Sequence, residues 1–461
     1  MSAQFVYDKL PVPLQDVACS AEGWRIRWDR YNHDFFRRLV DAERRDGFSA
    51  DELMLYQAVR VQEFIRHAAT TVPYYQNLFR KIGADSRDFK NVTDLEQLPI
   101  LTKLEVQKSP ELFLSRAVSR RDRVRLHTSG TTGAGLKFWT TKAALREQYA
   151  IWWRHLRRHG IRQGTWCAYL GGRSIVPVEQ KKPPFWRINY PGRQVLFSAY
   201  HTSPAHLSLY LEEIRTRQFP WIHGYPSHIA LLANHLIDTR FDLGYRPRWI
   251  TTSSENLHSH QAQTIQAAFG VTPIQNYGMT EAVANMSQTQ DGLFQVDEDF
   301  SAVEFLPVGK DGVYKVVGTN FSNPATPLLR YETGDLVRLS PKVDQAGHRG
   351  RLVESIDGRS EDYVVLSNGV RIGRLDHVFK DLMNVREAQI RQATPGSIAV
   401  RIVRASSYGD SDEAALLHGL RTRLGADIEI DLRYEDAIEK TKSGKLRFVV
   451  SELNGAGNVN Q

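Results

Sequence analysis

The sequence predicts an α/β protein: a large multi-layer N-terminal domain with a helical prelude and parallel-rich sheets, followed by a small mobile α+β C-terminal domain. Three observations carry that expectation. Between Thr165 and Ala282, apolar strand-like runs alternate with helical ones: TWCAYLGGR, WIHGYP, PSHIALLANHLI, RPRWITTSSENL, HSHQAQTIQAAFG and VTPIQNYGMTEA. Strand–loop–helix alternation of this kind builds layers around a largely parallel sheet. From about Gly312 the pattern changes to hairpins, in GVYKVVGTNF, PLLRYETGDLVRLS and HRGRLVESIDGRSEDYVVLSNGVRI. After Gly358 the order becomes strand, strand, helix, strand, in EAQIRQ, SIAVRIVR, DEAALLHGLRTRL and DIEIDLRY. A chain of 461 residues is too long for one ordinary core. We expect residues 1–358 to form the large domain, with the prelude over about 1–115, and residues 359–461 the small one.

In chain order, DELMLYQAVRVQEFIRHAATTVPYYQNLF places Leu53, Tyr56, Val59, Phe64 and Ile65 near helical spacing, until Pro73 interrupts it. Asn91 or Thr93 is placed to cap a short helix. The stretch LHTSGTTGAGLKFWTT, Leu126 to Thr141, alternates glycines with hydroxyls. Glycines let backbone N–H groups turn towards an anion, and hydroxyls add adaptable donors. No Lys-Ser or Lys-Thr pair follows the glycines, so the stretch is not a P-loop. Lys142–His159 reads as a helix with Trp152 and Trp153 in the core, ended by Gly160. SSEN (Ser253–Asn256) and NYGMTE (Asn276–Glu281) fall just beyond strands, where parallel sheets collect ligands. Asn368-Gly369 is a turn pair between strand-like runs. A basic glycine-containing loop, EKTKSGKLRFVVS, precedes the tail NGAGNVNQ, which reads as frayed.

Composition excludes several classes. Hydrophobic residues make up 41% and charged residues 24%, which argues for a globular chain and against disorder. No run approaches the ~18 apolar residues of a membrane span. The first residues, MSAQFVYDKLPVPLQDVACS, lack a signal peptide's basic and apolar regions, so a cytoplasmic protein is expected. Cys19 and Cys167 form no CxxC pair, so neither a disulfide framework nor a zinc-thiolate site is expected. His258 and His260 are two apart, on opposite faces of a strand or badly separated on a helix, and there is no HxxxH, so these two with His223 and His228 are not expected to form a metal site. The net charge is +8, with Arg-rich patches in RRDRVR and WWRHLRRHGIR. Acidic residues are spread elsewhere and no nucleic-acid module is present, so these patches read as a solvated face or one attracting anionic nucleotides.

Separated motifs stand in order: TSGTTG, SSENL, NYGMTE, RYETGDL with IDGRSEDY, and KTKSGKLR. Together they resemble the adenylate-forming superfamily of acyl-CoA synthetases, peptide-synthetase adenylation domains and luciferases. TTVPYYQNLF, LEQLPILTKLEV, LGGR, HGYPSHIALLA and the FVVS ending look more closely like the phenylacetate–CoA ligase branch and its capsule-polysaccharide relatives. The resemblance implies that Thr128, Ser129, Gly130, Thr131, Thr132 and Gly133 contact the β- and γ-phosphates of ATP. Ser254 and Glu255 would line the adenine pocket. Within the motif Asn276–Glu281, Tyr277 would stack on adenine, Thr280 bond the α-phosphate, and Glu281 hold Mg²⁺ through a hard carboxylate oxygen. Asp335 would accept from the ribose hydroxyls, with Arg359 assisting and Arg371 facing phosphates. Glu361 stands at the hinge position about which the small domain turns. Lys445 would be the catalytic lysine, bridging carboxylate and α-phosphate oxygens.

Two departures are notable. Ala134-Gly135-Leu136-Lys137 replaces the family's TGxPK and shifts the lysine by one, as in the capsule-type relatives. Glu439 stands where the family often has proline. The implied reaction activates a small-molecule carboxylic acid with ATP as an acyl-adenylate, then transfers the acyl group to coenzyme A. The capsule-type resemblance leaves transfer to an amine or hydroxyl open, and a homodimer open as well. The acid pocket is expected near Trp139, Tyr169–Arg173, His223–Tyr225 and Asn276–Gly278, suited to an aryl or other bulky acid.

Overall fold

Local chemistry sets many of the helix boundaries. Ser49 accepts from the Glu52 N–H while the Glu52 side chain returns to the Ser49 N–H, and Thr102 and Glu105 repeat this reciprocal cap. Pro73 lacks the N–H that a helix interior needs, so one helix ends at Thr71 and the next begins at Pro73. Asn91 accepts from the N–H groups of Thr93 and Asp94, ordering the short 3₁₀ turn Thr93–Gln97.

The computed structural model describes residues 3–128, 136–171, 175–177, 179–309, 312–341, 350–359, 363–368, 371–373, 375, 384–405, 407–425, 427–441 and 446–453. Helices α1 (Ala3–Asp8), α2 (Val12–Arg30), α3 (His33–Arg45), α4 (Ala50–Thr71), α5 (Pro73–Ile82) and α6 (Lys103–Lys108) make up the prelude. Strands β1 (Arg123–His127) and β2 (Lys137–Thr141) pair ahead of α7 (Lys142–Arg158). Next come β3 (Cys167–Leu170), β4 (Trp186–Asn189), β5 (Gln194–Phe197), α8 (Pro204–Arg217), β6 (Trp221–Gly224), α9 (Pro226–Thr239), β7 (Trp249–Thr252), α10 (Ser259–Phe269) and β8 (Ile274–Gly278). The chain continues through β9 (Asn285–Gln288), β10 (Phe294–Val296), β11 (Ser301–Val308), β12 (Val313–Asn320), β13 (Tyr331–Leu339) and β14 (Leu352–Arg359). The last part holds β15 (Tyr363–Val365), β16 (Arg371–Gly373), β17 (Val385–Thr394), β18 (Ser397–Arg404), α11 (Asp410–Leu424), β19 (Glu429–Tyr434) and β20 (Val449–Ser451).

The chain divides into two compact units: Met1–Trp24 with Gly164–Gln275 and Gly358–Gln461, and Arg25–Gln163 with Asn276–Asp357. In the first, β5, β3, β6, β7 and the start of β8 run parallel, with β4 antiparallel at the edge. This is the parallel sheet expected from the alternating pattern. Helices α8, α9 and α10 bury Leu211, Ile229 and Ile265 against strand residues such as Ile222 and Ile250. The unit's C-terminal part is α+β: a sheet in the order β19-β18-β17-β20 packs Val400 and Ile402 on Leu416 and Leu420 of α11. Strands β15 and β16 form the hairpin expected around Asn368-Gly369, although Gly369 lies outside the described residues.

In the second unit the sheet is antiparallel, running from β11 through β12, β13, β14, β10 and β9 to the end of β8. Helix α4 turns Gln57, Val61, Phe64, Ile65 and Ala68 inward. Val59, expected on that face, is instead 47% exposed. A 3.6-residue period puts it opposite Val61, and Gln57 takes the inward place because its amide donates to the Glu298 carbonyl and carboxylate.

The patch WWRHLRRHGIR is not a solvated face. Arg154 is 2% exposed and donates to Asp299 at 2.7 and 2.9 Å, to Asp297 at 2.8 Å and to the Ala42 carbonyl at 3.0 Å. Arg157 pairs with Glu43 and Arg158 with Asp46, so acidic side chains distant in sequence neutralise the helix. His155 is buried, and burial keeps its imidazole neutral. Trp153 is buried as expected, with Trp152 edge-on to it at 5.2 Å. Burial alone would raise the Asp299 pKa, but the charges of Arg154 and Arg45 outweigh it and hold the carboxyl well below its usual range. A lowered folded-state pKa stabilises the fold above the unfolded carboxylate pKa, and that stabilisation is lost as pH falls towards the lowered value. Arg154→Ala would take the shared guanidinium from two buried carboxylates, leaving Arg45 on Asp299 and the Asn285 and Ser287 donors on Asp297, and we expect a loss of about 3 kcal/mol in urea unfolding at neutral pH. The deficit should shrink as the pH is lowered and Asp299 protonates.

Candidate functional site

Each unit holds its own set of the sequence-predicted residues. In the second unit, Thr128 follows β1, and its N–H donates to the Leu136 carbonyl at 2.9 Å. The Thr128 hydroxyl accepts from the Leu136 N–H, also at 2.9 Å. Leu136 is fully buried, so it anchors one end of the glycine- and hydroxyl-rich loop while Thr128 closes the other. Ser129, Gly130, Thr131, Thr132 and Gly133 lie outside the described residues.

Asn276 and Tyr277 stand at the carboxyl end of β8. The Tyr277 ring is buried beside Met286, Val316 and Val337. Its hydroxyl donates to Asp335 Oδ2 at 2.7 Å, joining two motifs 58 residues apart. Asp335 is held in turn by its own N–H, which donates to Thr333 Oγ1 at 3.0 Å, and Thr333 donates to the Val316 carbonyl. Gly334 between them has φ +80°, a left-handed turn that favours glycine. Beyond β8, the Ala282 N–H closes a turn on the Met279 carbonyl. Thr280 is exposed on that turn and Glu281 half-buried. The Asn320 side chain donates to the Glu281 carbonyl at 3.2 Å, fixing its backbone. Glu281 thus has a fixed backbone and carries a half-buried hard carboxylate. That fits Mg²⁺, which is commonly held by one or two carboxylates together with substrate phosphates rather than by an all-protein cage.

In the first unit, Gly224 ends β6 where an added Cβ would lie 2.1 Å from the Leu170 carbonyl, so only glycine permits this approach. The next N–H, of Tyr225, donates to that same carbonyl at 2.9 Å. Helix α9 then begins without a side-chain cap from Tyr225. Glu255 supplies the missing acceptor: its Oε2 takes the Ser227 N–H at 3.2 Å, and its Oε1 takes the Leu446 N–H at 2.9 Å. Desolvation raises the Glu255 pKa against the opposing effect of these hydrogen bonds. Ser254, just before it, is exposed and adopts φ +70°. In the expected acid pocket, His223 Nδ1 lies 2.7 Å from Thr251 Oγ1, and the Tyr169 and His223 rings are 5.5 Å apart. Arg173 lies outside the described residues.

Arg359 ends β14, and Arg371 begins β16 opposite Val365. Glu361 and Lys445 lie outside the described residues. Sequence reasoning placed Glu255 beside a nucleotide but missed its bond to Leu446. Leu446 is a backbone donor, which no residue-type motif announces.

Among the described residues no helix is long and apolar enough to cross a membrane. The CapK C-terminal domain family matches residues 364–452. Protein CapK of Staphylococcus aureus is 24% identical over 97% of this chain and 99% of its own length. A phenylacetate-coenzyme A ligase of Pseudomonas putida is 25% identical over 74% of this chain and 77% of that protein. Among solved structures, 2-hydroxyisobutyryl-CoA ligase in the postadenylation state has a similar fold, with a TM-score of 0.66 at 16% identity, covering 86% of this chain and 89% of that one.

Removing the Tyr277 hydroxyl deprives the Asp335 carboxylate of a donor. Tyr277→Phe should cost about 1.5–3 kcal/mol in denaturant unfolding, the range for a hydrogen bond to a charged group. An unchanged midpoint would mean that this bond contributes nothing to the fold.

Proposed function

We propose that this chain is an adenylate-forming enzyme of the phenylacetate–CoA ligase-like branch, a reading supported by its similarity to CapK and to phenylacetate-coenzyme A ligases, and that it activates a carboxylic acid with ATP and then transfers the acyl group to coenzyme A. The observation that carries the site assignment is the Tyr277–Asp335 hydrogen bond, which unites the NYGMTE and TGD motifs into one group. Tyr277 and Asp335 would then form the nucleoside end of the site. Thr280 and the loop closed by Thr128 would face the phosphates.

In the first half-reaction a substrate carboxylate oxygen attacks the α-phosphorus of ATP. The bond to the bridging oxygen breaks, and pyrophosphate leaves an acyl-adenylate behind. There is little covalent chemistry for the protein to do here, so positioning and charge neutralisation dominate. Lys445 would bridge the attacking carboxylate and the α-phosphate, and Thr280 would bond the α-phosphate oxygen. Backbone and hydroxyl donors from Ser129 to Gly133 would hold the leaving pyrophosphate. When bound at Glu281, Mg²⁺ supplies charge neutralisation to the phosphate oxygens. In the second half-reaction the small C-terminal domain, residues 359–461, would turn about Glu361, carrying Lys445 away and bringing the Gly369 region over the acyl group. Attack by the thiol on the acyl carbonyl then expels AMP.

A second reading, transfer to an amine or hydroxyl, is favoured by one observation. The CapK-type match covers residues 364–452, the part expected to meet the acceptor. Pyrophosphate release across a panel of carboxylic acids, with and without coenzyme A or amine acceptors, tests both readings. Thioester product dependent on coenzyme A supports the first, and product with an amine alone supports the second. No release with any acid would overturn both. Lys445→Ala should lower pyrophosphate formation by about a hundredfold or more while sparing transfer from a supplied acyl-adenylate. Equal loss in both half-reactions would count against its role.

A further inference from the structure

We propose that Glu255 is a positioning residue that holds Leu446–Phe448, the segment that directly follows Lys445 in sequence, against the loop after β7. The proposal rests on the adenylate-forming reading for the importance of Lys445, but its geometry stands on described residues alone. The segment after Lys445 is fastened to the C-terminal sheet by its carbonyls. The Arg447 carbonyl accepts from the Gln389 side chain at 3.0 Å, and the Phe448 carbonyl accepts from the Ile390 N–H at 2.8 Å. The Leu446 N–H points the other way, to Glu255 Oε1 at 2.9 Å. Alongside it the Phe448 ring lies 5.4 Å from the ring of His258, the residue that precedes α10. One carboxylate thus links the loop after β7, the start of α9 and the residue next to Lys445.

The arrangement suits a contact that must open and re-form. If Leu446 withdraws, Glu255 keeps its bond to the Ser227 N–H and the positive end of α9, so the carboxylate is not left stranded. The released Leu446 N–H can bond water. Closure gains one charge-assisted hydrogen bond and opening loses only that bond, so the balance between the two states can be shifted by ligands. Glutamine in place of Glu255 keeps the size but offers one acceptor oxygen to two N–H donors, so one of the two bonds must fail.

The test compares the full-length wild type with Glu255→Gln and Glu255→Ala, after their melting curves confirm folding. Hydrogen exchange of the peptide spanning Leu446–Ser451 should be about tenfold to a hundredfold faster in Glu255→Ala, the loss of one hydrogen bond to a charged group, with Glu255→Gln between it and the wild type. Pyrophosphate formation should fall by a similar factor with the KM for ATP unchanged, while acyl transfer from a supplied acyl-adenylate keeps its wild-type rate. Unchanged exchange would overturn the proposal. So would a raised KM for ATP at unchanged kcat, which assigns Glu255 to the nucleotide pocket, or equal losses in both half-reactions, which mark a purely structural role. If the wild type releases no pyrophosphate with any acid, the functional reading fails, and the exchange experiment still decides whether Glu255 holds this segment.

Discussion

The Arg154 guanidinium between Asp297 and Asp299 is the constraint on which most of the second unit depends. It also bonds the Ala42 carbonyl, while Arg45 reaches Asp299 at 2.6 Å, so α3, α7 and the turn after β10 share one charge cluster. Burying such charges is costly, and complete pairing is what makes the burial tolerable. The other oxygen of Asp297 accepts from Asn285 and Ser287 on β9. Asn285 pairs with Gly278 at the end of β8, the strand that presents Asn276 and Tyr277. An added Cβ at Gly278 would lie 2.7 Å from Asn285 Oδ1, so the strand end and the cluster are packed as one piece.

From that base, several of the candidate residues are placed by bonds to main-chain groups. Thr128 and Leu136 close the loop between β1 and β2 by exchanging N–H bonds. Thr333 sets the Asp335 turn, and Asn320 holds the Glu281 carbonyl. Glu255 collects two N–H groups from separate segments. Strand ends and turns leave main-chain donors and acceptors without ladder partners, and these bonds satisfy them while fixing the direction of neighbouring side chains.

Much of the architecture was legible in the sequence because it follows from local periodicity and turn chemistry. The alternation from Thr165 to Ala282 became the parallel sheet with α9 and α10, and the hairpins after Gly312 became β12, β13 and β14. Errors arose where burial depended on a distant partner. Val59 was expected inside, yet Gln57 is, because Glu298 satisfies its amide from 241 residues away. Arg154 read as solvated because nothing near it in sequence offers an acceptor. The acidic run Asp297–Asp299 was the available signal, but its pairing with α7 could not be derived from spacing.

The sequence by itself determined the element types, the order of the motifs and the chemical groups available: hydroxyls and glycines after Leu126, carboxylates at Glu281 and Asp335, and the lysine at position 445. Periods of 2 and 3.6 residues and turn-specific residues are local properties, so they survive in one dimension. Only the tertiary structure decided which groups meet. It set Tyr277 on Asp335, Arg154 between two aspartates, and Glu255 against the Leu446 N–H. Each of these contacts joins residues dozens to hundreds apart, and one of them uses a backbone donor that almost every residue type carries. Such contacts are selected by the free energy of burying polar groups with their partners, a property of the folded chain that no local pattern encodes.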